Sequence, residues 1–222
     1  MSTPIGVPKR FTRRHPPWYV RGEEGQLSPR EAAKEDMARR RIPRADVRAW
    51  AAMDLADVPE LAFRAFDVHE LVEDAATRFA APARSKGLAL EVKTASSVPR
   101  FALGEADWLH EVLCGLMDNA VRFTDNGEVV ASVTTDRTSG SRVMFRAEIS
   151  DTGCGMDASA LARLFGPRGP RRGARFTPTD DGAGSLRLAH RLVELMDGRL
   201  GCSSAVGMGT TTWFSVPLDL PD

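Results

Sequence analysis

Four short segments carry residues whose types and spacing suit chemistry on a polyphosphate or a polar heterocycle. Gly115, Asn119 and Arg122 stand four and three residues apart in an amphipathic run, so they share one helix face. An amide oxygen there is a suitable hard ligand for a magnesium ion that bridges phosphates, although most asparagines on a helix surface are simply solvated. Asp151-Thr152-Gly153-Cys154-Gly155-Met156 directly follows a strand-like alternation. A carboxylate at a strand end accepts a hydrogen bond from an exocyclic amine, and flanking glycines let the backbone turn and approach a ligand; the same pattern also suits a plain structural turn. Asp181-Gly182-Ala183-Gly184 opens a helical run, where free N–H groups at the positive end of the helix favour phosphate. Gly207-Met208-Gly209-Thr210, taken alone, reads as a hairpin turn.

The elements that must position these segments follow from periodicity. Asp67 can cap a helix with Glu70 three residues on, and Leu71, Val72, Ala75, Ala76 and Phe79 continue at helical spacing to Lys86-Gly87. Leu88, Leu90 and Val92 alternate as in a strand with one buried face. Trp108 to Phe123 predicts an amphipathic helix with Leu109, Val112, Leu113, Leu116, Met117 and Ala120 on its core side. Two strands are expected next, Glu128 to Thr135 and Arg142 to Ser150, joined by a hairpin loop from Asp136 to Ser141. A short helix from Asp157 to Phe165, a Gly/Pro/Arg-rich stretch, a helix from Gly184 to Met196 and strands Arg199 to Ser204 and Thr210 to Pro217 complete the pattern. The expected fold is a two-layer α/β sandwich, a mixed sheet with helices on one face, preceded by a short helical or disordered N-terminal extension.

Composition bounds the class. The chain has 222 residues, 42% of them hydrophobic, enough to fill a core, and its formal net charge is zero. Residues 1–50 hold 12 Lys/Arg against 6 Asp/Glu, so the basic excess is confined to the N-terminal part. Prolines at 4, 8, 16 and 17 and many arginines predict little order over 1–28, and short helices are expected between Ser28 and Ala56. The expected division is 1–65, a basic extension, and 66–222, a folded domain. No apolar run reaches the roughly 20 residues of a membrane span, and charges and prolines stand where a signal peptide would be apolar, which predicts a cytoplasmic protein without a membrane partner. Lacking interleaved aromatics, the basic arm does not predict nucleic acid binding. Cys114, Cys154 and Cys202 show no metal-ligand spacing and read as reduced thiols.

Taken together and in order, the four segments resemble the nucleotide-binding boxes of the histidine-kinase, gyrase and Hsp90 ATPase superfamily. Leu116 to Thr124 resembles the asparagine box of histidine kinases, which typically reads Asn-Ala-x-Lys-Phe-Thr, with Arg122 at the lysine position. Phe66 to Leu71, Lys86-Gly87-Leu88 and Gly104-Glu105 extend the similarity to residues 66–218. The resemblance implies that Asp151 binds the adenine amine of ATP, with Gly153 and Gly155 shaping that pocket and Thr210 lining it. It implies that Asn119 binds magnesium, that Arg122 approaches the phosphates, and that Gly182 and Gly184 sit beside the phosphate tail. Residues 166–183, with Arg168, Arg171, Arg172 and Arg175, would be a lid over the polyphosphate. Phe165 stands at the phenylalanine box, whose continuation Gly166-Pro167-Arg168 departs from the family.

Other departures shape the functional expectation. Gly115 replaces the asparagine or glutamate that many relatives carry one turn before Asn119, which disfavours an ATP hydrolase that needs a general base on its water. Leu186 replaces the last glycine of the Gly-x-Gly-x-Gly run. None of His15, His69, His110 and His190 is followed by the acidic residue, arginine and proline of a phosphoacceptor hairpin, although residues 44–60 could be a remnant of its second helix. The expected function is therefore that of an ATP- and magnesium-dependent protein histidine kinase-like phosphotransferase in two-component signalling. The histidine would be supplied by another chain, and the expected partners are a histidine-bearing phosphotransfer domain, a sensor kinase or a response regulator. The alternatives are a degenerate, non-catalytic interaction module of the same fold and an anti-sigma-type protein serine kinase.

Overall fold

A computed structural model describes residues 64–165 and 183–221. The N-terminal extension up to residue 63, Gly182 and most of the arginine-rich stretch lie outside the described residues. The elements run β1 (Arg64–Asp67), α1 (Val68–Ser85), β2 (Ala89–Thr94), β3 (Phe101–Gly104), α2 (Ala106–Phe123), β4 (Glu128–Ser139), β5 (Arg142–Asp151), α3 (Ala158–Phe165), α4 (Ala183–Leu195), β6 (Arg199–Ser204) and β7 (Thr210–Asp219).

The strands form one mixed sheet in the order β1-β3-β7-β5-β4-β2, with β6 added to β7. β2 pairs with β4 in parallel and every other pairing is antiparallel. β5 matches β7 along its whole length, from Arg142↔Asp219 to Asp151↔Thr210. On its other edge β7 first carries β6 and then touches β3 at Leu103↔Asp219. The long central pair β5–β7 thus ends where Asp151 and Thr210 stand side by side.

Strand alternation selects the buried face. Val143, Phe145, Ala147 and Ile149 of β5, Val129, Ala131 and Val133 of β4, and Phe214, Val216 and Leu218 of β7 share one core with the apolar sides of α1, α2 and α4. α2 lies between α1 and α4 and buries both flanks, which is why ten of its residues are inaccessible. Helices therefore cover one face, as the sequence predicts. On the opposite face the Arg146 guanidinium lies 4.4 Å from the centre of the Trp213 ring and pairs with Glu148 at 3.2 Å.

Local chemistry explains the element ends. Asp67 caps α1, its Oδ1 accepting from the His69 and Glu70 N–H groups at 3.0 and 3.1 Å, while Arg100 Nε holds Oδ2 at 2.9 Å. Asp157 caps α3 by accepting from Ala160 N at 2.7 Å. Three details differ from expectation. β1 and β3 are added strands of four residues each, β1 at the sheet edge and β3 between it and β7, so Arg64 and Ala65 belong to the sheet. The hairpin expected as a loop from Asp136 is paired as far as Ser139, through an irregularity between Arg137 and Ser139. β7 continues to Asp219, whose carboxylate accepts from Arg142 Nε at 2.8 Å. Among the described residues no helix is long and apolar enough to cross a membrane.

Candidate functional site

Asp151 ends β5 in register with Thr210 on one side and Val129 on the other. Its Oδ1 accepts from the backbone N–H of Gly153 at 2.9 Å and of Thr210 at 3.1 Å, which fixes the carboxylate and leaves Oδ2 outside both bonds. Burial pushes the Asp151 carboxyl above its ordinary value, and the two backbone donors pull the other way. The turn that follows requires glycine twice. A Cβ on Gly153 would run into the Phe123 carbonyl, and Gly155 has φ +66° with the Ala205 carbonyl where a Cβ would stand.

Ser204, the last residue of β6, ties the loop to the final hairpin. Its hydroxyl accepts from Met156 N at 2.8 Å and donates to the Gly209 carbonyl at 2.9 Å, and Thr210 Oγ1 is also 2.9 Å away. Cys154, exposed between the two glycines, accepts from Gly207 N at 2.8 Å through its carbonyl. Asp151, Gly153, Gly155 and Thr210 are thus assembled in one place. Ser204 was not among the expected site residues, because a serine at a strand end is unremarkable until its partners five and six residues on are known.

α2 brings its own polar group. Asn119 is half-buried; its Oδ1 is shielded from solvent and has no hydrogen-bond partner. Arg122, one turn on, is exposed, and its guanidinium lies 5.6 Å from the centre of the Phe123 ring. The end of α2 is joined to the Asp151 loop through Cys154 N, which donates to the Phe123 carbonyl at 3.2 Å. Lys86, read from the sequence only as the end of α1, also reaches this turn.

The helix α4 presents Gly184 buried in its first turn. Leu186, at the position of the family's third glycine, is 8% exposed and belongs to the core, so it anchors the start of α4. Gly115 faces α4: a Cβ placed there would meet the Ser185 carbonyl at 3.6 Å, an ordinary contact. Three histidines have local partners. His69 Nε2 lies 3.2 Å from the Val98 carbonyl, His110 Nε2 lies 2.8 Å from Asp74 Oδ2, and His190 Nδ1 lies 3.8 Å from Glu194 Oε1. None of the three cysteines forms a disulfide; Cys202 is half-buried, and burial raises its thiol, with a bond from Thr212 opposing the rise and the Asp151 charge adding to it.

A mixed sheet covered on one face, a carboxylate fixed at the end of its central strand and an asparagine on the adjoining helix together make up the candidate site. Residues 104–220 match the family described as histidine kinase-, DNA gyrase B-, and HSP90-like ATPase, and the chain belongs to that family. It is 34% identical over 165 residues to the sensor histidine kinase AruS of Pseudomonas aeruginosa, covering 74% of this chain and 16% of that protein. It is likewise 34% identical over 166 residues to the virulence sensor protein BvgS of Bordetella bronchiseptica, covering 71% of this chain and 13% of that one. The chain therefore spans a small part of these relatives. Among solved structures, full-length ShkA in complex with AMPPNP superposes with a TM-score of 0.61 at 27% identity, over 80% of this chain and 35% of that one. The nucleotide-free catalytic domain of the histidine kinase ThkA, 15% identical with a TM-score of 0.52, shares the fold over 72% of this chain and 98% of its own.

Proposed function

We propose that this chain binds ATP with magnesium and passes the γ-phosphoryl group to a histidine on a partner chain. The observation that carries the reading is the Asn119 oxygen. A buried acceptor without a donor costs about 1–3 kcal/mol, and such a group points to a ligand that satisfies it. The other unpartnered buried atoms among the described residues are Arg64 Nε on β1 and Trp108 Nε1 in the first turn of α2, where Arg64 pairs with Asp107. An amide oxygen suits magnesium, which takes oxygen ligands and keeps several waters beside substrate phosphates. When bound, the ion would neutralise charge on the phosphates.

The protein groups have separate tasks in this reading. Asp151 Oδ2 accepts from the adenine amine while the Gly153 and Thr210 N–H groups hold Oδ1 in place. Gly155 and Thr210 line the base, Arg122 reaches toward the phosphates, and Gly184 lies beside the phosphate tail at the start of α4. Transfer forms a bond between an imidazole nitrogen and the γ-phosphorus as the bond to the bridging oxygen breaks, leaving ADP. An imidazole lone pair attacks without a general base, consistent with Gly115 where hydrolases need one. With Arg64 and Ala65 in β1, the catalytic domain would begin at residue 64 rather than 66, and a domain that uses ATP would belong in the cytoplasm.

A second reading, a degenerate interaction module, is favoured by Leu186, whose burial in the core ties down the start of α4. Incubation with γ-labelled ATP and a histidine-bearing phosphotransfer domain separates the readings. Acid-labile, alkali-stable label on the partner is the expected result. Acid-stable label would indicate a serine kinase, and no label from a chain that binds no nucleotide would indicate the degenerate module.

A further inference from the structure

The last turn of α2 ends without glycine; Thr124 closes it with φ −106° and ψ 121°. Five consecutive carbonyls at this end find partners outside the helix ladder. Thr124 Oγ1 donates to the Ala120 carbonyl at 2.7 Å. Lys86 Nζ donates to the carbonyls of Val121 at 3.0 Å, Arg122 at 2.8 Å and Thr124 at 3.1 Å, which engages all three of its N–H bonds. The carbonyl it leaves, that of Phe123, accepts from Cys154 N at 3.2 Å and lies against Gly153. Asn119, one turn back, and the Asp151 loop therefore meet at a turn held by one ammonium group from the end of α1.

We infer that Lys86 is a positioning residue of the nucleotide site, setting the spacing between the Asn119 side and the Asp151 side through the carbonyls of 121, 122 and 124. The physics favours lysine at this place. A cation at a helix C-terminus complements the macrodipole and satisfies carbonyls that have no intrahelical donor. Its side chain is 35% exposed, so the group keeps part of its hydration while its three bonds are made. Asp125, 94% exposed and 3.9 Å away, adds little to that hold. The helix would retain its buried apolar side without Lys86, but the Phe123 carbonyl would lose its fixed place under the glycine turn. This inference rests on the ATP reading for its functional consequence and on hydrogen bonds alone for its structural part.

The test uses the full chain with Lys86→Met and Lys86→Arg, read in two ways. Hydrogen exchange without nucleotide is measured at the Cys154 amide and at the core amide of Ile149. Affinity for a non-hydrolysable ATP analogue is measured with magnesium. Lys86→Met is expected to speed exchange at Cys154 with little change at Ile149 and to weaken binding on the order of tenfold, as loss of a supporting partner does at other ion sites. Lys86→Arg, which can also donate to several carbonyls, is expected to restore most of both. Equal acceleration at Cys154 and Ile149, or wild-type exchange and binding in Lys86→Met, would overturn the inference. If the wild type itself binds no analogue, the ATP reading fails alone, and the exchange comparison still decides whether Lys86 positions the loop.

Discussion

The Thr210 backbone N–H donates to Asp151 Oδ1 at 3.1 Å, although the two residues are 59 apart in sequence. The bond exists because β5 and β7 are in register to their ends, and it turns a half-buried carboxylate into a fixed acceptor.

Burial of that carboxylate is expected to lower stability at neutral pH. Burial raises its folded pKa above the ordinary 3.8, so the folded chain holds its proton more tightly than the unfolded chain. The stabilising contribution of the protonated form is complete below the unfolded pKa and is lost as pH rises through the folded one. Asp151→Asn keeps an oxygen for both backbone donors and removes the charge. Its thermal midpoint at pH 7 is expected to equal or exceed that of the wild type, with the difference shrinking below the ordinary carboxylate pKa, while adenine nucleotide binding is lost. A clear fall in midpoint at pH 7 would contradict this.

Asn119→Ala removes a buried acceptor without a partner and places the best helix former in α2. Chemical denaturation is expected to show unchanged or higher stability. Nucleotide affinity should become insensitive to magnesium; magnesium dependence equal to that of the wild type would place the ion elsewhere.

Gly115→Ala addresses a departure from the family pattern. A Cβ at this position makes ordinary contacts with Ser185, so the substitution should stabilise α2 by about 0.5–1 kcal/mol and leave nucleotide affinity unchanged. Destabilisation in urea unfolding would show that α2 and α4 approach more closely than this geometry allows.

Phe145 is fully buried, with its ring centroid 6.0 Å from that of Phe214 on the neighbouring strand. Phe145→Ala should cost about 3–5 kcal/mol in equilibrium unfolding. A loss below about 1 kcal/mol would mean that the core collapses around the cavity.

Long periodic segments made much of this fold legible. The apolar stripe of Trp108 to Phe123 and the alternation of Arg142 to Ser150 each repeat often enough to define a face, and they became α2 and β5. β1 and β3 could not be read the same way: four residues carry too little alternation, and they exist because each pairs with the other at the sheet edge. Among the site residues, the glycines of the Asp151 loop were legible through their order with the other segments. Lys86 and Ser204 were not, since their roles come from carbonyls and amides that only the tertiary fold brings within reach. Gly182 and the arginine-rich stretch lie outside the described residues.

The most direct test of the central claim is a calorimetric titration of the full chain with a non-hydrolysable ATP analogue, with and without magnesium, beside Asn119→Ala and Asp151→Asn. Magnesium-strengthened binding by the wild type is expected, with the magnesium effect lost in Asn119→Ala and binding abolished in Asp151→Asn. Absence of binding by the folded wild type, or equal binding by all three chains, would contradict the assignment of this site to ATP.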